Sequence, residues 1–295
     1  MNINKWLLKN TESLEGKLVA LTGSTGGIGK NLCKYLLSLG ASLVLVDRNA
    51  EKQRALLGEL LSDFPSAKVE CLTLDLENIN MAIKTARTLA DMNIDVFIHN
   101  AGAYSIPRHK CSCGYDNVFV INFLSPYTMI RELLPSLEAK GGRVVVVGSI
   151  AHNYSKTDEK DMDFSTQTRA SLVYGNAKRY LTYSLYPLFE NSCASLSVTH
   201  PGITLTGITA HYPKLIFALI KHPMRVIFMS PRKAALSIIE GLFSSTEKNT
   251  WIGPKYFNVW GYPKKKPLNT ATTEEMQAIK ESAEELYLKI SSSTT

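Results

Sequence analysis

The sequence predicts a doubly wound α/β domain, a parallel sheet of about seven strands with helices on both faces, in a single unit spanning 1–295. Three observations carry this. Short apolar runs alternate with helical stretches through six successive units, the chain order of parallel strands joined by crossover helices. The first run leads directly into a glycine-rich turn, Thr22-Gly23-Ser24-Thr25-Gly26-Gly27-Ile28-Gly29. The fifth run, Arg143–Val147, places valines in succession, as suits a strand covered on both faces.

The elements follow in order. Lys17–Thr22 reads as the first strand. Gly27 to Leu39 reads as a helix, with Gly40 as its C-cap. Ser42–Val46 is the second strand and Glu51–Ser62 the helix after it. Lys68–Thr73 is a strand, Asn78–Asp91 a helix and Ile94–Ile98 a strand. A longer helix is expected over Tyr115 to Glu138, bent or interrupted by Pro126 and Pro135. After Gly141-Gly142 come the valine strand, a helix over Ser171–Glu190, and a sixth strand at Ser195–Thr199.

The rhythm then breaks. Thr204–Met229 follows the sixth strand, where crevices open at the carboxyl ends of strands, so 204–230 is expected to be a lid over a substrate. Its Leu215, Ile216, Phe217, Ile220, Ile227 and Phe228 suit an apolar pocket, core packing or an interface equally. The remainder, 231–295, supplies two helices around a last short strand near Trp251–Val259. Residues 1–16 read as a short amphipathic arm carrying Trp6, Leu7 and Leu8. No Gly/Ser/Pro-rich linker, repeat or low-complexity tract divides the chain.

Composition excludes several classes. Apolar residues are 45% and charged residues 20%, which is globular and not disordered. The net charge of +7 is partly local, as in Lys264-Lys265-Lys266, and no basic stripe with a reading element points to nucleic acid. Five cysteines match no disulfide framework, and reduced thiols in a cytoplasmic setting are expected. The pair Cys111-Ser112-Cys113 has no second ligand pair in the sequence, so no metal site is expected. No signal peptide or transmembrane segment is read; Lys221, His222, Pro223 and Arg225 interrupt the most apolar stretch.

The glycine turn lies between a strand and a helix, the context in which such a pattern binds a dinucleotide. Gly23 permits the tight turn, Gly27 lets backbone approach a pyrophosphate, and Gly29 lets helix and strand pack closely; Ser24, Thr25 and Ile28 complete the cradle. Unpaired N–H groups at the helix N-terminus favour phosphate. Asp47 ends the second strand, 18 residues after Gly29, and suits ribose hydroxyls, which favours NAD. Arg48 follows and suits a 2′-phosphate, so NADP is the alternative. Asp75-Leu76 and Asn100-Ala101-Gly102 end the third and fourth strands and are expected to flank the nucleotide.

Tyr174 and Lys178 stand four residues apart, on one face of a helix. A cation near a phenol is expected to favour the phenolate and bring its pKa toward working pH. Ser149 closes the fifth strand and is placed to orient a carbonyl or carbinol oxygen. Asn122 is an amide inside an apolar stretch and needs a partner, for which a water linked to Lys178 is the expectation.

These motifs together resemble the short-chain dehydrogenase/reductase family in its single-domain branch. The resemblance covers about Lys17 to Gly202 and rests on the glycine turn, His99-Asn100-Ala101-Gly102, Asn122, Ser149, Tyr174 with Lys178, and His200-Pro201-Gly202-Ile203. It implies a Rossmann fold and an NAD(P)-dependent oxidoreductase that interconverts small-molecule alcohols and carbonyls. It implies a catalytic tetrad of Asn122, Ser149, Tyr174 and Lys178. It further implies cofactor contacts from Tyr174, Lys178, Pro201, Gly202, Ile203, Thr204 and Thr206. It also implies a homodimer or homotetramer with the helices near Tyr115–Glu138 and Ser171–Glu190 at the contact. Ser149-Ile150-Ala151-His152, Asp163-Phe164, Gly114–Phe119 and Gly253–Tyr262 are similar to the retinol dehydrogenase and WW-domain oxidoreductase group, which handles lipophilic substrates. His99 departs from the asparagine usual at its position, and Asp47 from the NADP-preferring retinol enzymes. Two other readings stand beside this one: a non-catalytic dinucleotide-binding sensor or scaffold, and a sugar-nucleotide epimerase, which also uses a Tyr–Lys pair.

Overall fold

Along each central strand, alternate side chains point to opposite faces of the sheet, and both faces are buried. In β1 (Leu18–Thr22), Val19 and Leu21 enter one core while Ala20 enters the other. In β2 (Ser42–Asp47), Leu43 and Leu45 oppose Val44 and Val46 in the same way. In β5 (Arg143–Val147), Val145 and Val147 oppose Val144 and Val146. The computed structural model describes residues 2–204 and 229–292. Among them β3 (Val69–Thr73), β4 (Val96–His99), β6 (Ser195–Thr199), β7 (Thr250–Tyr256) and β8 (Trp260–Pro267) complete one sheet. Its order is β3-β2-β1-β4-β5-β6-β7-β8.

Strands β1 to β7 are parallel and β8 is antiparallel to β7. The single last strand expected near Trp251–Val259 is therefore a hairpin. Phe257 and Asn258 adopt φ of 51° and 57°, and the chain turns back there. The lysine run lies in β8, which signals an edge strand protected by charge and carries no apolar period to read.

One face of the sheet carries α1 (Ile3–Asn10), α2 (Gly27–Ser38), α3 (Ala50–Asp63) and α7 (Pro231–Phe243). The arm docks through Trp6, which is buried and stacked on Tyr262, while Leu8 remains exposed. The other face carries α4 (Ile79–Asp91), α5 (Ser125–Glu138), α6 (Ala170–Phe189) and α8 (Thr273–Ser292). No helix among the described residues is long and apolar enough to cross a membrane.

The helix expected from Tyr115 begins later and is not uniform. A turn at Asn117–Phe119 is capped by the Asp116 side chain, the ladder widens to a π turn at Val120–Leu124, and α5 follows. Pro126 has no N–H to give the carbonyl four residues back, so the α ladder cannot run through it unchanged.

From Gly175 to Tyr186 every residue of α6 is buried within the chain. Helix α8 lies across α5 and α6, pairing Glu275 with Arg179 at 2.5 Å and Glu284 with Arg131 at 2.9 Å. The C-terminal helix thus takes up part of the surface of α5 and α6.

Two histidines flank Trp251 in the core: His200 stacks on it at 5.2 Å and His152 meets it edge-on at 5.2 Å. Burial pushes His152 down to about 4 and His200 to about 3. Both are neutral in the folded chain at pH 7, whereas the unfolded rings titrate near pH ~6.5. Stability is thus complete above that value and falls as pH drops through it toward the folded values, by on the order of 3–5 kcal/mol per ring. Urea unfolding at a series of pH values should show this acid limb, and His200→Asn should flatten it by about one proton. An unchanged limb would mean that the ring is not its source.

Candidate active site

The sheet reverses its winding between β1 and β4, and a crevice opens at their carboxyl ends. Thr22 holds it together. Its hydroxyl oxygen accepts from the backbone N–H of Asn100 and of Ala101, each at 3.1 Å, and contacts His99 Nδ1 at 3.1 Å. With both lone pairs used, the O–H donates to Nδ1, which places the His99 proton on Nε2. Asn100 Nδ2 in turn donates to the carbonyls of Thr22 (3.2 Å) and Gly23 (3.0 Å). Neither Thr22 nor His99 was singled out by motif reasoning for this role.

The glycine turn rests on that clamp. Gly23 has φ of +70°, and a Cβ there would lie 2.9 Å from Ala101 Cα. A Cβ on Gly29 would lie 2.1 Å from the Gly23 carbonyl oxygen. Gly26 caps α2 without a side-chain hydrogen bond. First-turn amides are thus left without a side-chain acceptor from the cap. The resulting cleft has a volume of about 470 Å³. Its walls include Gly23, Thr25, Gly27, Ile28, Gly29, Asp47, Arg48, Asp75, Leu76, Asn100, Ala101 and Gly102. Ser24 lies buried beneath the turn. Lys52 and Tyr104, which sequence patterns did not mark, also line it.

Asp47 is not a free acceptor. Ser24 Oγ donates to one carboxylate oxygen; Thr25 donates to the other through its N–H (3.1 Å) and its hydroxyl (2.8 Å). The carboxylate is therefore oriented by the glycine turn. Arg48 is well exposed and approaches Glu77 only to 3.9 Å.

At the other end, Gly102 joins the cleft to the tetrad residues. A Cβ there would lie 2.8 Å from Asn122 Oδ1 and 3.6 Å from Lys178 Nζ. Asn122 sits in the π turn. Its Oδ1 accepts from Ala103 N (3.2 Å), and its Nδ2 donates to the carbonyls of Ala103 (2.8 Å) and Val118 (2.8 Å). The side chain finds its partners in backbone, so the water expected to satisfy it is not needed. Lys178 is 2% exposed and donates to the Val147 carbonyl at 2.9 Å. Ser149 caps the short 3-10 turn after β5, its hydroxyl oxygen accepting from Ala151 N at 3.2 Å. Tyr104 packs edge-on against Tyr174 at 5.3 Å.

The protonation pattern differs from the expectation of a lowered tyrosine. Burial pushes the Tyr174 phenol up to about 12, against the opposing hydrogen bond from Ser149. Burial also pushes Lys178 down to about 7. The amine lies 5.8 Å from the Tyr174 ring centre and is only about half charged at neutral pH, so it does not offset the desolvation of a phenolate.

Pro201, Gly202, Ile203 and Thr204 follow β6. Met229 N donates to the Ile203 carbonyl at 3.0 Å, and Thr204 pairs with Met229. Thr206 and the rest of the expected lid lie outside the described residues. Two motifs of the narrower resemblance touch: Asp163 accepts from Asp116 N at 2.7 Å, while Arg108 donates to Asp116 (2.9 Å) and to the Phe164 carbonyl (2.7 Å).

Residues 17–158 match the family model described as short chain dehydrogenase. The chain is 26% identical to mouse retinol dehydrogenase 12 over 262 residues, covering 83% of this chain and 82% of that one. It is 26% identical to an uncharacterised oxidoreductase of Schizosaccharomyces pombe over 283 residues, 87% and 81% of the two chains. It is 27% identical to human polyprenol dehydrogenase over 207 residues, 66% of this chain and 63% of that one. An uncharacterised protein from Mycobacterium paratuberculosis shares the fold with a TM-score of 0.71 at 20% identity, covering 95% of this chain and 96% of the other. So does an L-sorbose reductase from Gluconobacter frateurii complexed with NADPH and L-sorbose, at 0.62 and 17% identity over 79% and 91%. The motif order, the sheet topology and these matches agree: the chain resembles the short-chain dehydrogenase family, and the likeness supports an NAD(P)-dependent oxidoreductase that acts on CH–OH groups.

Proposed function

We propose that the cleft holds NAD(P) and that Tyr174, assisted by Ser149 and Lys178, moves the proton in an alcohol–carbonyl interconversion on a lipophilic substrate. The observation that carries this reading is buried Lys178, its Nζ 5.8 Å from the Tyr174 ring centre, next to a backbone cradle that added Cβ atoms would fill. The cradle fits a dinucleotide: α2 opens toward the cleft without a capping side chain, Asp47 stands at the end of β2, and Gly102 leaves room beside Asn122 and Lys178. When bound, the nicotinamide supplies or accepts the hydride.

The chain's own residues handle the proton. A phenol held near 12 is protonated at neutral pH, so Tyr174 is ready to donate to a carbonyl oxygen as reduction proceeds. Ser149 is positioned to hold that same oxygen. Oxidation requires the phenolate, which alkaline solution favours. Lys178 is held near 7 by burial and exchanges protons close to working pH. Asn122 fixes the Ala103 backbone beside Gly102. The lipophilic substrate class rests on the likeness to retinol and polyprenol dehydrogenases.

Tyr174→Phe should lower turnover by about 10²–10⁴-fold while NADH affinity changes little, since only the acid is lost. Equilibrium titration with kinetics on a panel of lipophilic aldehydes measures both, and a variant that keeps most of its rate would sink the assignment. Initial rates should show oxidation climbing through the alkaline range, with reduction flat near neutrality. The reverse ordering would remove Tyr174 as the acid.

For the second phosphate, the Asp47 carboxylate favours NAD, and Arg48 with Lys52 on the cleft wall narrows the preference. Asp47→Ser should shift the NADPH/NADH affinity ratio toward NADPH by about tenfold or more, as removal of a like charge near a phosphate requires. A ratio that does not move would mean that Asp47 does not face the ribose.

A further inference from the structure

Beside the Asp47–Arg48 end of the cleft, the fold assembles a group of donors that no sequence spacing announces. Glu77 follows the end of β3, and His109 and Cys111 lie in the loop after β4. A carboxylate oxygen, an imidazole nitrogen and the Cys111 sulfur all lie within 4.8 Å of one another. We propose that Glu77, His109 and Cys111 form a zinc-binding site that ties the loop after β4 to the end of β3.

The donor set selects the ion. One oxygen, one nitrogen and one sulfur suit a borderline metal such as zinc, whereas magnesium and calcium take oxygen. Tetrahedral zinc, with bonds of about 2.0–2.3 Å, holds its ligand atoms roughly 3–4 Å apart, so the widest pair must close by about 1 Å. The three side chains differ in freedom. Cys111 is buried, and a hairpin holds it: its N–H donates to Tyr115 O and its carbonyl accepts from Gly114 N, both at 2.8 Å. Lys110 and Asp116 pair across the same hairpin. The Glu77 backbone is tied to Asp75 Oδ1 at 3.1 Å. The His109 side chain is 54% exposed and free to close the gap. A three-residue set leaves a fourth position for water.

Without an ion, the same atoms form an ordinary pair. Asn117 Nδ2 lies 3.3 Å from His109 Nδ1 and also donates to Pro107 O at 3.0 Å. Nδ1 then accepts, and Nε2–H donates to Glu77 at 2.9 Å. Coordination through Nε2 moves the ring proton to Nδ1, and the long Asn117 contact is given up. The Cys111 thiol proton leaves to solvent as the sulfur–metal bond forms, so one proton is released per ion and nothing is oxidised or reduced. Glu77 is also the partner of Arg48 at 3.9 Å, so the ion and Arg48 share one carboxylate.

The test uses the full chain, reduced and stripped with a chelator, and zinc titrated against a chromophoric competitor. The wild type should bind one equivalent. Cys111→Ser and His109→Ala should each bind at least about tenfold more weakly. Cys193→Ser, which removes an exposed thiol elsewhere, should leave binding unchanged. Cobalt in place of zinc should give a near-ultraviolet thiolate charge-transfer band that Cys111→Ser abolishes. Added zinc should raise the melting temperature of the wild type but not of that variant, whose own melt reports whether it folds. Equal zinc binding by wild type and Cys111→Ser, or a cobalt complex without the thiolate band, overturns the site.

Discussion

The hydroxyl of Thr22 stands where the sheet reverses its winding, and the ends of β1 and β4 are held in register by its two accepted bonds. The cleft depends on this contact. Asn100 and Ala101 are placed by it, Asn100 then holds the Gly23 carbonyl, and the Gly23 carbonyl is the atom against which Gly29 packs. Asp47 is oriented in turn by Ser24 and Thr25 of the same turn. A glycine-rich turn alone is flexible. Here it is fixed by hydrogen bonds from two other strand ends, those of β2 and β4, so its shape is in place before any ligand arrives.

Burial, more than neighbouring charge, sets the chemistry at the other end. Desolvation opposes the charged form of Tyr174 and of Lys178 alike, raising one and lowering the other. A spacing of four residues correctly puts both groups on one side of α6, but spacing carries no information about how much water reaches them. The phenol is therefore an acid at rest, and the lysine is close to its own midpoint. Any charge brought into the cleft acts on these groups through a medium that screens poorly.

What could be read in the sequence has a common physical character. The first six strands, the glycine turn, Asn100 and the Tyr174–Lys178 pair depend on local period or on motifs within one element. What escaped is non-local. Strand β8 is rich in lysine and has no apolar alternation, and its pairing with β7 depends on a turn with Phe257 and Asn258 in left-handed backbone. The π turn at Asn122 follows from Pro126, whose breaking tendency was legible while the form of the break was not. Glu77 meets His109 and Cys111 only because β3 and the loop after β4 open on the same side of the sheet. Two of the three bonds of Asn122 run to the Ala103 backbone of a different loop, which no pattern around Asn122 contains.

Arg179 shows why the C-terminal helix belongs to the site although it touches neither cleft nor tetrad. Its guanidinium is nearly inaccessible and forks onto Glu275 of α8, while Nη1 donates to the His152 carbonyl at 3.0 Å and Nη2 also donates to Thr270 O. A buried ion pair is weak evidence for net stability, because desolvation of both charges offsets their attraction. Its effect is on geometry. Arg179 is the neighbour of Lys178 on α6, and a planar fork with fixed donors admits one rotation of the helix that carries it. Removing either partner would leave a buried charge uncompensated, so the helix has no low-energy alternative setting. Helix α6 is covered on all sides by its own chain over Gly175 to Tyr186, and the orientation of Tyr174 and Lys178 is accordingly set within one molecule by α8.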